Sequence, residues 1–298
     1  MATVSSPPVS LSIERPALYV VATPIGNLAD LSHRAQALLA SADLLLVEDT
    51  RVTQKLLLHY AITNQLVSLH EHNETRNANA MLSRIVEENL GVALLSDAGT
   101  PLVADPGYRV VKAARDCGVP VYTLPGPCAA IAALSIAGIP SDRFVFEGFL
   151  PSRSAARRTQ LAEFIHETRT VIFYEAPHRI LATMEDLCDV MGGERDVSVG
   201  RELTKLHETQ YQGHLRDVTT EIRNDPNAVR GEIVIVLGGT NLQQTDKEER
   251  DALKMVAALR KHLSTREAIK VAVEITGVKR NRLYRLLHSR ESDDTGVE

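Results

Sequence analysis

Ala93-Leu94-Leu95-Ser96-Asp97-Ala98-Gly99-Thr100-Pro101-Leu102-Val103-Ala104-Asp105-Pro106-Gly107 carries a strand, a loop and a helix start in fifteen residues. An apolar run, residues 92–95, ends in an acid and then a loop of small residues and prolines. Asp105 and Pro106 read as the N-cap and first position of a helix carrying Val110, Val111 and Ala114. Strand, small-residue loop, helix is the βα unit, and open α/β sheets bind ligands beyond the carboxyl ends of their strands. A carboxylate at that edge suits a hydroxyl-rich or amine-bearing ligand. An ordinary βα turn with a capping Asp is the simpler alternative.

The same grammar extends outward in both directions. Residues 18–22, 43–47, 65–69 and 119–124 are short apolar runs of strand type. Between them lie helical patterns: Ala35, Leu38 and Leu39 after a cap at Asp30 or Ser32; Leu56, Leu57 and Tyr60; and Met81, Leu82, Ile85 and Val86. Gly118 stops the helix after Asp105, and a small-residue helix over 128–137 closes at Gly138. Regular alternation predicts a mainly parallel sheet. Right-handed crossovers then bring every strand's carboxyl end to one edge, gathering Gly26, Glu48-Asp49, His70 to His72, Asp97 to Gly99 and Pro125-Gly126. Neither G-x-G-x-x-G spacing nor a Walker loop is present, which disfavours a Rossmann dinucleotide site and nucleotide hydrolysis.

Beyond residue 141 the pattern changes. Residues 142–150 read as a linker strand, followed by the basic run Pro151 to Arg158, either a solvated helix start or a phosphate contact. Strands at 170–174, 197–200, 208–212 and 232–237 alternate less regularly with helices after Pro177 and around 218–222, so a mixed sheet is expected. A polar linker, 240–250, leads to Ser264 and Glu267 in capping-box spacing, the stripe Ala268, Val271, Ala272 and Ile275, and a stop at Gly277. A further helix carries Leu283, Tyr284, Leu286 and Leu287. Helix, Gly turn and basic helix resemble a helix-turn-helix; a plain amphipathic hairpin is the alternative. The expected organisation is therefore a Ser- and Pro-rich disordered tail (1–16), an N-terminal α/β domain (17–140), a second α/β domain (141–239) and a basic helical module (250–290).

The 298 residues, 44% apolar and 24% charged, are ordinary for a globular protein. Three scattered cysteines, Cys117, Cys128 and Cys188, form no CxxC, which points to a reducing compartment and neither disulfides nor zinc. No run reaches a membrane span, and a cytoplasmic protein is expected. The net charge of −5 hides an asymmetry: residues 251–290 hold ten Lys and Arg against three Asp and Glu, a basic end on an acidic body. Such a distribution points to an anionic partner.

Taken in order, Ala22-Thr23-Pro24-Ile25-Gly26-Asn27-Leu28, Glu48-Asp49-Thr50-Arg51, His70-Glu71-His72-Asn73-Glu74, Ser96-Asp97-Ala98-Gly99-Thr100-Pro101 and Leu124-Pro125-Gly126-Pro127-Cys128-Ala129-Ala130 form a series of motifs. It continues with Glu147-Gly148-Phe149-Leu150-Pro151, Phe173-Tyr174-Glu175, Arg201-Glu202-Leu203-Thr204-Lys205 and Gly231-Glu232. Over residues 18–237 this series resembles the bacterial ribosomal RNA small subunit methyltransferase I family, within the tetrapyrrole methylase superfamily. The first Gly-rich turn, with Gly26 alone, is degenerate relative to the porphyrin-type members.

The resemblance implies two α/β domains of tetrapyrrole-methylase type with the cofactor cleft between them, plus a small helical C-terminal module. It implies a homodimer that uses S-adenosyl-L-methionine to methylate the ribose 2′-hydroxyl of a cytidine in 16S rRNA, in the decoding centre of the small ribosomal subunit. Methylation of a tetrapyrrole precursor and a non-catalytic role in ribosome assembly are the rival readings. Gly26, Asp97, Gly99, Thr100, Leu124, Gly126 and Ala129 are expected to hold the cofactor, with Tyr174 and Leu203 walling its adenine. A base for the hydroxyl must lie within hydrogen-bond reach of it, and Glu48, Asp49, His70, His72 and Lys205 are the candidates. A Lys-Asp-Lys-Glu tetrad is not discernible, and zinc on His70 and His72 is disfavoured, so no metal is expected. Arg51, Arg153, Arg157, Arg280, Arg282 and Arg285 are the candidate RNA contacts.

Overall fold

The computed structural model describes residues 12–69, 71–240, 244–278, 280, 281, 283, 284 and 287, with 71–77 and 244–248 described by backbone only. His70, Arg282, Arg285, Leu286 and residues 1–11 lie outside this set, as does the side chain of His72. The chain divides into two compact units. One runs through Ala162 and resumes over Thr170–Gly238; the other comprises Glu163–Arg169 and everything from Gly239.

The larger unit opens with β1 (Ala17–Val21), α1 (His33–Ser41), β2 (Leu44–Val47), α2 (Thr50–His59), β3 (Leu66–Ser68), α3 (Glu71–Glu87), β4 (Gly91–Leu95), α4 (Tyr108–Asp116) and β5 (Val121–Leu124). The strands form one sheet in the order β3-β2-β4-β1-β5, every pair parallel. Strands buried on both faces must be apolar throughout, which is why they read as unbroken runs. Tyr19, Val21, Leu45, Val47 and Leu95 pack under α1 and α2, while Leu18, Leu44, Leu46, Val92 and Leu94 pack under α3 and α4. Each such side chain contributes roughly 1.5–3 kcal/mol by leaving water. Ser32, and not Asp30, caps α1, its hydroxyl accepting from the Ala35 amide at 3.2 Å.

Two expectations near the ends of this region change. Residues 12–16 are anchored: Arg15 pairs with Asp43 at 2.6 Å, the Glu14 amide donates to the Tyr19 hydroxyl at 2.8 Å, and Ile13 packs on the core. The expected disordered tail, 1–16, thus fails over residues 12–16, and its remainder, 1–11, lies outside the described residues. Asp105 does not cap α4. Gly107 is the N-cap, with φ of 126° and no side-chain cap bond. A Cβ there would sit 2.9 Å from Leu94 Cδ2, so only glycine lets the chain turn into the helix this close to the sheet.

Next come α5 (Ala129–Ile136), β6 (Phe144–Phe149), α6 (Ser154–Ala162), β7 (Thr170–Glu175), α7 (Ile180–Met191), β8 (Asp196–Arg201), β9 (Thr209–His214), α8 (Leu215–Asn224) and β10 (Ile233–Leu237). Their strands form a second sheet in the order β6-β7-β10-β8-β9, mixed as expected, with only β6 and β7 parallel among the described pairs. Residues 142–150 are thus no linker: β6 is an edge strand, with a bulge between Phe146 and Gly148. Helix α5 packs Ala130, Ala133, Leu134 and Ala137 against Ile172, Val234 and Val236 of this second sheet. Its small side chains permit that close approach and join the two sheets into one unit.

Arg157 requires a correction. It was expected to contact RNA, but it is 2% exposed. Its guanidinium pairs with Asp186 at 2.6 Å, and Asp186 also accepts from the Ser154 hydroxyl and meets Arg158. The basic run 151–158 is therefore largely the pin between α6 and α7. Arg153 remains exposed.

In the smaller unit, α9 (Gln244–Leu259) begins inside the stretch expected as a linker, and α10 (Thr265–Thr276) follows. The Ser264–Glu267 capping box forms, and Gly277 ends α10 in the left-handed conformation, φ 73°. Ala252, Val256, Ala268, Ile269, Ala272 and Leu283 make this unit's core. Leu283 places the sequence after Gly277 against both helices, as the helix-turn-helix pattern expects.

Candidate active site

A cavity of about 360 Å³ lies between the two sheets of the larger unit. One wall is the loop after β4 (Ala98, Gly99, Thr100, Val103, Ala104, Asp105), with Ile25, Cys128 and Ala129 beside it. The facing wall comes from the second sheet: Phe149, Tyr174, Glu175, Leu203 and Gly231 to Val234 among others. The volume lies in the ~300–1,000 Å³ range of small-molecule sites.

The loop after β4 is held at both ends. Thr23 and Gly99 exchange backbone hydrogen bonds of 2.8 and 3.1 Å, and the Thr100 hydroxyl donates to the Pro127 carbonyl at 3.0 Å. Between these ties and Gly107, Leu102 and Ala104 sit at φ 74° and 65°. A side chain in that region costs roughly 1–2 kcal/mol per residue, a strain that gathers at functional sites. Here the turn presents Asp105 to the cavity where a regular helix start would have turned it to the cap.

Asp105, expected from the sequence as a helix cap, is an acid on the cavity wall. Burial, with Glu48 and then Asp97 nearby, pushes its carboxyl up to about 6, although the Ser96 hydroxyl acts in the opposite direction. Among the described residues it joins no ion pair. The other titratable groups on the walls are committed. Glu175, its side chain fully buried, accepts from Arg179, Thr183 and its neighbour Ala176. Glu232 pairs with Lys205 at 3.2 Å. Burial raises Tyr174 well above its ordinary value, and its oxygen accepts from the Ala130 amide at 3.1 Å. A signal for Asp105 was available: an acid flanked by Leu102, Val103 and Ala104 is in apolar company unusual for a capping loop.

Of the expected cofactor residues, Gly99, Thr100, Ala129, Tyr174 and Leu203 line the cavity. Asp97, Leu124, Gly126 and Gly26 are not among its lining residues. Asp97 accepts from the Asp49 amide at 3.0 Å, and its own amide faces Glu48 at 3.4 Å. Leu124 belongs to the core under α1. A Cβ on Gly126 would lie 3.0 Å from Ala22 Cβ. Gly26 touches the loop from the second sheet: a Cβ there would fall 2.4 Å from Lys205 Cγ, 2.7 Å from Thr204 Oγ1 and 3.1 Å from the Leu203 carbonyl. Glycine is needed for contact between the two lobes. We expect Gly26→Ala to push residues 203–205 aside, lower the melting temperature by a few degrees and weaken ligand binding about tenfold. Thermal melts and calorimetry check both.

The candidate bases separate. Arg51 holds Asp49 down at about 2 and pairs with it at 2.5 Å. Burial would lower Lys205, but Glu202 at 2.7 Å and Glu232 raise it overall, so it stays an ammonium. Glu48 is different. It is half-buried, and burial raises it even though the Asp97 amide favours its charge. Among the described residues Glu48 has no ion-pair partner, and Asp105 feels its charge. His70 lies outside the described residues. Arg51, 86% exposed, stands at the same carboxyl edge.

Residues 17–219 match the tetrapyrrole (corrin/porphyrin) methylase family. The chain belongs to that family. Residues 246–291 of this tetrapyrrole methylase match the RsmI C-terminal HTH domain. It is 46% identical over 270 residues to the ribosomal RNA small subunit methyltransferase I of Vibrio cholerae, covering 91% of this chain and 93% of the relative. To the protein of the same name in Xylella fastidiosa it is 47% identical over 267 residues, covering 90% and 97%. Among solved structures, a cobalt precorrin-4 methyltransferase shares the fold at TM-score 0.55 and 18% identity, over 75% of this chain and 95% of the other. A uroporphyrin-III C-methyltransferase from Thermus thermophilus, complexed with S-adenosylhomocysteine, does so at 0.52 and 20%, over 74% and 97%. The fold of this tetrapyrrole methylase follows the family, and the narrower likeness runs through both units.

Proposed function

We propose that this tetrapyrrole methylase transfers a methyl group from S-adenosyl-L-methionine to the ribose 2′-hydroxyl of a cytidine in 16S rRNA of the small ribosomal subunit. One observation carries the reading: near-full-length identity of 46–47% to relatives named ribosomal RNA small subunit methyltransferase I, in a chain whose cavity suits the methyl donor. The Thermus structure, named for its S-adenosylhomocysteine complex, supports the choice of donor. A homodimer acting in the cytoplasm goes with this reading. Among the described residues no helix is long and apolar enough to cross a membrane.

The cavity fits the donor by the chemistry of its walls. Ile25, Val103, Leu203, Ile233 and Val234 offer an apolar slot for a purine. Gly99 and Ala129 put little or no side chain on the wall and leave room for close approach. Asp105 takes the part expected of Asp97, accepting from the donor's hydroxyl or ammonium groups. When bound, the donor supplies a methyl group on a positively charged sulfur. The protein's share is mainly positioning, because an in-line displacement is accelerated most by holding its reactants aligned. Glu48, with Asp105 at the same edge, would take the proton of the ribose hydroxyl while the methyl carbon's bond passes from sulfur to oxygen and the donor leaves as the neutral thioether S-adenosylhomocysteine. Arg51, Arg153 and Arg280 are exposed candidates for phosphate contacts.

Incubation with methyl-labelled S-adenosylmethionine and small subunits from a strain lacking the enzyme, followed by nucleoside analysis, tests the reading. Label in 2′-O-methylcytidine is expected. Label in another nucleoside, in a tetrapyrrole offered as competitor, or nowhere contradicts it.

A further inference from the structure

Beside the donor cavity, the surface of α3 and α4 forms a shallow groove of about 450 Å³, lined by Ala78, Asn79, Tyr108, Arg109, Lys112 and Asp116 among others. Tyr108 is 65% exposed, unusual for a ring with nothing described above it. Arg109 and Lys112 are exposed beside it, one and four positions along the helix. Lys112 also feels the Tyr108 hydroxyl. An aromatic face flanked by two cations is the arrangement that takes an unpaired nucleotide, base on ring and phosphate on cation. Both cations have partners of their own, Lys112 with Asp116 at 2.6 Å, but Arg109 is exposed and the side chains of Lys112 and Asp116 are more than half exposed. Such a surface pair is weak and exchanges readily for a phosphate.

The position fits the cavity's chemistry. Tyr108 follows Asp105 by three residues, at most about 11 Å along an extended chain. That places the ring within a few nucleotides of the cavity along one strand. Arg51 stands at the same carboxyl edge of the first sheet.

We propose that this groove is an RNA-docking surface: Tyr108 stacks on an unpaired base near the target nucleotide, and Arg109 and Lys112 take the adjoining phosphates. The proposal rests on the ribosomal RNA reading and names a contact in the larger unit, independent of the basic C-terminal helices. Docking here holds the strand so that the target ribose reaches the cavity, and contributes to substrate affinity and not to donor binding.

Tyr108→Ala, Tyr108→Phe and the double variant Arg109→Glu/Lys112→Glu test it, using unmethylated small subunits as the probe. Tyr108→Ala should raise KM for the subunit about 5- to 100-fold, with kcat near wild type and S-adenosylhomocysteine affinity unchanged. Tyr108→Phe keeps the ring and should restore KM to within about twofold. The charge reversal should raise KM and flatten its dependence on salt. Unchanged KM in both Tyr108→Ala and the charge reversal overturns the groove while wild-type transfer leaves the reading intact. A loss in Tyr108→Phe equal to that of Tyr108→Ala overturns the stacking role. A changed sedimentation coefficient with unchanged KM assigns the groove to a second copy of the chain and overturns the proposal. Absence of transfer by the wild type overturns the reading and the groove together.

Discussion

Asp105→Ala should bind S-adenosylhomocysteine at least about 30-fold more weakly than the wild type, with its melting curve intact. Truncating one partner of a desolvated charged contact costs roughly 2–5 kcal/mol, and 1.4 kcal/mol is tenfold in affinity. The pH dependence gives a second handle. In the free protein burial and Glu48 hold the carboxyl at about 6, so below that pH it is protonated and a poor acceptor for an ammonium or hydroxyl. Wild-type affinity should therefore fall as the pH is lowered through 6, and Asp105→Asn should bind weakly at every pH without that step. Stability runs the other way. A carboxyl raised above its unfolded value favours the folded state while protonated and penalises it once ionised. The free wild type loses this contribution as pH rises from about 4 through 6, and Asp105→Asn should be the more stable of the two at neutral pH, by about 1 kcal/mol given the carboxyl's partial solvent access. Calorimetric titrations and melts between pH 5 and 8 measure both trends.

Asp186→Ala should be the most destabilising single substitution considered. Arg157 and Asp186 have side chains only 3% and 9% exposed, and the carboxylate also holds Ser154 and Arg158. Removing it strands a buried guanidinium, at a cost of about 3–5 kcal/mol. For a unit of this size each kcal/mol shifts the melting temperature by roughly 2–4 °C, so a drop of about 10 °C or more is expected. Burial works against Asp186, yet Ser154, Arg157 and Arg158 together hold it below its ordinary value. A depressed carboxylate stabilises above its unfolded pKa and loses that contribution as pH falls through the folded one. The difference between wild type and Asp186→Ala should accordingly shrink below about pH 4. Chemical denaturation at pH 7 and pH 3 checks the sign.

The sheets were legible because buried parallel strands must be apolar on both faces, as in residues 44–47 and 91–95. The helix-turn-helix was legible from Ser264, Glu267 and Gly277, since capping is local chemistry. What escaped was set by tertiary packing. Arg157 looks like any residue of a basic run, and only the return of α7 with Asp186 buries it. Residues 142–150 read as a linker strand; the strand is there as β6, and what the sequence does not announce is its place at the bulged edge of the second sheet. Asp105 and Asp97 both follow β4 in one loop, yet only Asp105 lines the cavity, past the positive φ of Leu102 and Ala104, which leucine and alanine do not announce. Gly26 resembled a ligand turn, whereas its missing Cβ makes room for Thr204 and Lys205. Residues near the site were thus found by motif, but which of them face the cavity depended on backbone turns that the composition does not specify.

The proposed function requires the methyl donor to lie between the two sheets of the larger unit. Ultraviolet cross-linking of methyl-labelled S-adenosylmethionine to the wild-type chain, followed by peptide mapping, tests it directly. Label is expected on peptides spanning residues 98–105, 128–129, 174–177 or 203, and competed away by S-adenosylhomocysteine. Competed label on α9, α10 or the outer faces of the sheets, with none on those peptides, would contradict it.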